Sequence, residues 1–300
     1  MNLEKINIRD PFILVDEGKY YMYGTRALTC WTSATGFDCY ISDDLENWNG
    51  PYEVFHKPED FWADLNCWAP EVHKHNGSYY MFATFKDSQS HGGTAILKAD
   101  HPLGPFIPHS EKQITPKDWE CIDGTFYVNS QGKPFMVFVH EWVQISDGSI
   151  CAVELSQDLK KAVSEPILLF HASEAKGWVL PVKNKRPGTN YVTDGPFLYR
   201  TKSGRLILLW SSFGKEGYTE ALAYSDNGDI TGNWTQDDRL LFEKDGGHGM
   251  IFKNLSDELY LTLHTPNEHL KEHPVFYKLE ETCDTFGLGK CNTLQHTFTP

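Results

Sequence analysis

Along the chain, apolar and polar positions repeat one unit five times. Each unit opens with a polar residue, enters a short apolar run, turns at Gly or Asp, and continues into a second apolar run. The copies are DPFILVDEGKYYMYGT from Asp10, PEVHKHNGSYYMFAT from Pro70, DGTFYVNSQGKPFMVFV from Asp123, DGPFLYRTKSGRLILLWSS from Asp194 and HGMIFKNLSDELYLTLHT from His248. Short runs of β-formers bounded by Gly, Asn, Asp and Pro are strand signals, and helical periodicity is absent. A third strand trails each hairpin: CYISDDLENW from Cys39, AILKADHPLGPF from Ala95, CAVELSQDLKKA from Cys151, EALAYSDNGDITGNW from Glu220 and PVFYKLE from Pro274. With a fourth strand in the variable stretch before the next copy, the pattern predicts five four-stranded antiparallel blades. The fold is therefore expected to be all-β, a five-bladed propeller read as one domain over residues 1–300. Residues before Asp10, or the tail after Leu279, are expected to complete the last blade.

Aligned on the hairpin turns, the residues heading the first strands are Asp10, Glu71, Asp123, Asp194 and His248. First strands line a propeller's central channel, so these heads are expected to converge on the axis. A lone Asp before Pro or Gly is commonly a turn former. Recurrence in register argues for more, because gathering carboxylates is costly unless they exchange protons or hold a cation.

Composition narrows the partners. The formal net charge is −14, which disfavours nucleic acid and anionic membrane surfaces. Aromatic residues make up 14% of the chain and supply flat faces for sugar rings as well as core. Seven cysteines show no metal-binding spacing, and Cys39, Cys67, Cys121 and Cys151 read as small buried hydrophobes. Reduced thiols, and a start (MNLEKINIRDPF) without the marks of a secretory leader, give the expectation of a cytoplasmic protein. Nothing in the pattern sets an oligomeric state.

RDPF at 9–12, WAPEV at 68–72, IDGTFY at 122–127, TDGPFL at 193–198 and GHG at 247–249 together make the chain resemble glycoside hydrolase family 43. The resemblance implies an inverting glycosidase acting on arabinose- or xylose-containing oligosaccharides. Asp10 then matches the general base, and Asp123 the carboxylate that orients the acid and raises its pKa. Asp194 stands where the family has a Glu as general acid. An Asp is one methylene shorter, about 1.5 Å of reach, and a misplaced donor can cost about 100-fold in rate. Three readings follow: Asp194 is the acid on a shifted backbone, Glu141 reaches in instead, or the chain binds sugar without cleaving it. In an inverting enzyme the base and acid carboxyls lie about 6.5–9.5 Å apart.

His248 matches a family histidine on the axis that helps hold calcium or sodium in some relatives; no cofactor is required for the chemistry itself. Trp68 is expected at the channel rim as a stacking platform, with Glu71 bonding substrate hydroxyls or balancing His248. Trp142, with Trp31 and Trp178, lies in the longer segments that would shape a pocket. Long inter-strand segments and the cytoplasmic expectation favour an exo-acting α-L-arabinofuranosidase or β-xylosidase.

Overall fold

The computed structural model describes residues 1–33, 35–183, 186–282 and 285–288. Five antiparallel four-stranded sheets follow one another along the chain. Blade one holds β1 (Ile8–Asp16), β2 (Lys19–Arg26), β3 (Gly36–Ser42) and β4 (Trp48–His56). Blade two holds β5 (Leu65–His75), β6 (Ser78–Lys86), β7 (Gly92–Ala99) and β8 (Ile107–Pro108). Blade three is β9 (Cys121–Val128), β10 (Pro134–His140), β11 (Ser149–Glu154) and β12 (Ile167–His171). Blade four is β13 (Asp194–Arg200), β14 (Leu206–Gly214), β15 (Gly217–Ser225) and β16 (Trp234–Phe242). Blade five is β17 (Gly247–Lys253), β18 (Leu259–Thr265), β19 (His273–Glu281) and β20 (Phe286–Leu288). Each first strand contacts the first strand of the next blade, from β1 through β17 and back to β1, so the sheets close into a propeller ring. Of the two ends expected to finish the last blade, the C-terminal side does so: β20 pairs with β19, Leu288 opposite Leu279.

The second strands read as almost unbroken apolar runs because both their faces are covered by neighbouring blades. The hydrophobic core lies in the interfaces between blades, with one cluster shared by both sides of blade one. Phe37, Phe55 and Phe85 pack between blades one and two, Phe82 and Phe138 belong to the cluster between two and three, and Trp210 joins Val137 and Phe170 between three and four.

All five first strands begin with the same irregularity. Pairing with the second strand slips directly after Arg9, Trp68, Ile122, Asp194 and Gly247, which face Thr25, Thr84, Val139, Ser211 and His264 respectively. The next residue is left-handed in every blade: Asp10 (φ 54°), Ala69 (45°), Asp123 (55°), Gly195 (51°) and His248 (54°). This corrects the alignment expected from the turns. Asp194 stands one residue before the bulge, and Glu71 stands two residues beyond Ala69. Four non-glycine residues hold a conformation that ordinarily costs about 1–2 kcal/mol each, a concentration of strain typical of functional sites.

Candidate active site

The left-handed bulge turns the strand heads toward the axis, where they line a cavity of about 470 Å³. Asp10, Asp123, Asp194 and His248 share its wall with Glu141 at the end of β10 and Trp68 on β5. Asp10, Asp123 and His248 are each less than a tenth exposed, whereas Asp194 and Glu141 keep partial access to solvent.

His248 binds the cluster together. Its Nδ1 is 3.2 Å from Asp10 Oδ1 and 3.7 Å from Asp123 Oδ2. Burial alone would lower its pKa, but Asp10, Asp123 and Asp194 outweigh that and lift it to about 9. It is therefore an imidazolium at neutral pH. Gly195 is required beside it: a Cβ there would lie 2.7 Å from the His248 ring, at a φ that glycine tolerates best.

The three aspartates are displaced in different directions. Burial pushes Asp10 up, yet His248, Arg9 and a 2.6 Å hydrogen bond from Thr25 Oγ1 together hold it below the usual carboxylate range. Asp123 and Asp194 are both raised, by burial first; Asp123 adds its charge to Asp194's shift. Glu141 is pushed up to about 8, by burial and then by Asp194 and Glu120. Thus Asp10 stays ionised, Asp123 is raised only to about 6, and Asp194 and Glu141 are the carboxyls disposed to keep a proton near neutrality.

Each strand head is also fastened to the preceding blade. Ala69 N donates to Thr25 Oγ1 (2.7 Å), Asp123 N to Thr84 Oγ1 (2.8 Å), His248 N to Ser211 Oγ (2.7 Å) and Asp10 N to His264 Nδ1 (3.2 Å). Val139 occupies the matching place in blade three and has no polar atom to offer. There Gly195 N donates instead to Asp123 Oδ2 (3.0 Å). His264 lies 3.5 Å from Asp10 Oδ1 as well, but burial drives its pKa down to about 3. It is a neutral acceptor, not an ion-pair partner.

The other expected residues divide. Trp142 lies on the single helical turn α1 (Trp142–Ile145) and lines the cavity, as do Trp68 and Trp31. Trp31 is 59% exposed, set edge-on to Trp68 at 5.4 Å and capped by the Arg9 guanidinium 5.6 Å from its ring centre. Glu71 does not line the cavity; it accepts from Thr125 Oγ1 (2.5 Å) and pairs with His73 Nε2 (3.0 Å) beneath the floor. Trp178 is buried against Trp210, 4.9 Å between rings, and shapes core instead of pocket. Arg9, Tyr218 and His264 were not singled out from the sequence. Arg9 stood in plain view inside RDPF, and His264 ends a second strand where Thr25, Thr84 and Ser211 end theirs.

Among the described residues, no group of three or more His, Cys, Asp or Glu is placed to hold a metal ion. An imidazolium flanked by aspartates offers no lone pair toward them, and hard cations prefer oxygen donors.

A family model described as "Glycosyl hydrolases family 43" matches residues 5–284. The solved structure of an endo-arabinase from Bacteroides thetaiotaomicron VPI-5482 is 39% identical and superposes with a TM-score of 0.89, covering 95% of this chain and 99% of that one. An extracellular exo-alpha-(1->5)-L-arabinofuranosidase, ArbA of Cellvibrio japonicus (strain Ueda107), is 23% identical over 70% of this chain, which spans 60% of its length. An extracellular endo-alpha-(1->5)-L-arabinanase of Bacillus subtilis (strain 168) is 21% identical over 45% of this chain, covering 44% of its own length. These two extracellular relatives overturn the cytoplasmic expectation. Its cysteine argument fails on physical grounds too: Cys30, Cys39, Cys67, Cys121 and Cys151 are buried and unpaired, so packing keeps them as thiols and they do not report a compartment.

Proposed function

The chain belongs to glycosyl hydrolases family 43, whose members hydrolyse glycosidic bonds with inversion, and from that premise we propose that it cleaves α-L-arabinofuranosidic bonds in arabinan-type saccharides. One observation carries the reading: Asp10, Asp123 and Asp194, from three blades, line one cavity with their ionisation displaced in opposite senses. Environments that push carboxyl pKa values apart assign acid and base. The choice of arabinose over xylose draws support from the 39%-identical endo-arabinase structure.

Asp10 removes a proton from water as its oxygen attacks the anomeric carbon. Asp194 gives its proton to the departing glycosidic oxygen as the C–O bond breaks. Asp123 sustains that proton by its nearby negative charge and holds Gly195 N, hence the backbone that presents Asp194. His248 stays charged and keeps Asp10 ionised. Exo action loses the support it drew from a cytoplasmic location, and the products from linear arabinan decide the mode: arabinose alone, or a ladder of oligosaccharides.

The enzyme should release sugar from arabinan and not from xylan. Asp10→Asn should bind arabino-oligosaccharides and melt normally while turnover falls by on the order of 1,000-fold or more. Turnover of Asp10→Asn within a few-fold of the parent would remove Asp10 as base. A second reading, with Glu141 as donor, is favoured by its presence in the cavity and a pKa of about 8. Glu141→Gln should then be spared on dinitrophenyl glycosides, whose leaving group needs no proton. Under the Asp194 reading, Asp194→Asn is the variant so spared.

A further inference from the structure

Tyr218 opens the β14–β15 hairpin on its return strand and is only 2% exposed. Its hydroxyl reaches Asp194 Oδ2 at 3.0 Å, and the ring lines the cavity. Several contacts hold that ring still. It stacks on His264 (5.7 Å, 26°) and leans on Phe213 (5.4 Å). Tyr218 N donates to Asp245 Oδ1 (3.2 Å), and Gly246 N donates to the Tyr218 carbonyl (2.9 Å). Gly247 completes the fit, since a Cβ there would come 2.8 Å from Tyr218 Cε1. The first glycine of the Gly-His-Gly motif thus makes room for the tyrosine.

We propose that Tyr218 is a positioning residue for proton donation: its hydroxyl occupies Asp194 Oδ2 as a donor, so that the acid proton resides on Oδ1 and is the one handed to the leaving group. This rests on the reading of Asp194 as general acid. A carboxylic acid has one carbonyl-like and one hydroxyl oxygen, and a fixed donor selects the former. As the proton leaves Oδ1, negative charge spreads to Oδ2 and the tyrosine hydrogen bond becomes charge-assisted, hence stronger in the transition state than before it. Because the ring is already packed, no reorganisation accompanies the step. The bond lowers the acid's pKa against the larger effect of burial, so Asp194 can release the proton that burial makes it keep.

Tyr218→Phe keeps the ring and its stack and removes only the donor. On saccharides with alkoxide leaving groups, kcat should fall roughly 10- to 100-fold with KM nearly unchanged, the scale of a hydrogen bond to a charged group. The alkaline limb of the pH–rate profile should move up, and dinitrophenyl glycosides should lose little. Asp194→Asn, run alongside, separates the two ideas. If its loss depends on the leaving group while that of Tyr218→Phe does not, and the alkaline limb stays put, Tyr218 merely packs and the proposal is overturned. If Asp194→Asn loses equally on both substrate types, the acid assignment itself fails and the tyrosine proposal goes with it.

Discussion

Glu220 lies on β15, wholly enclosed, with Oε2 accepting from Ser211 Oγ (2.7 Å) and Gly249 N (3.0 Å) and Oε1 without a hydrogen-bond partner. Burial lifts its pKa from 4.5 to about 7. Between those values the folded protein binds the proton better than the unfolded chain, so stability falls as pH rises through this window and is level above it. Glu220→Gln keeps an acceptor for Ser211 and Gly249 and abolishes the titration. Relative to this variant, the parent should lose on the order of 1–3 kcal/mol between pH 5 and pH 8, read by urea unfolding at both. An equal gap at the two pH values would mean that Glu220 does not titrate there. At this scale Asp10, Asp123 and His248 were legible as strand heads, whereas Glu71 and Asp194 were taken one or two places out of register. The telling position was the one after each head: Pro11, Pro70, Gly124, Pro196 and Gly249 all follow the left-handed residue, and aligning on them would have singled out Ala69 and Gly195.

Among elements, the recurrent feature is the polar residue near the end of the second strand, present in four of the five blades and gripping the next blade's first strand. Thr25 serves two masters, accepting from Ala69 N and donating to Asp10 Oδ2. Thr25→Val leaves both without partners at almost unchanged volume. The cost should be about 1–3 kcal/mol. Since the Thr25 bond also lowers the Asp10 pKa, the acidic limb of the pH–rate profile should move up. Unchanged stability together with an unmoved acidic limb would deny Thr25 both roles. Strand existence and order were readable here because period and turn residues are local signals. The grip itself was not, since it links positions such as Thr25 and Ala69, 44 residues apart.

For the whole molecule, five blades could be counted from the repeat, while the fate of the long segments could not. Trp31 and Trp178 look alike in sequence, yet one is exposed beside the pocket and the other is packed on Trp210, because only the ring decides what each segment meets. Ring closure also gives Val139 a meaning beyond its own blade. At its strand head the seam between blades three and four lacks the second-strand side chain that serves the other blades, and Gly195 N is held instead by Asp123 Oδ2, from the group proposed to tune the proton donor. Asp123→Ala, which takes away both the charge and the acceptor for Gly195 N, should therefore shift the working pH and lower heat tolerance together, whereas Asp123→Asn, which keeps an acceptor, should move the first and largely spare the second.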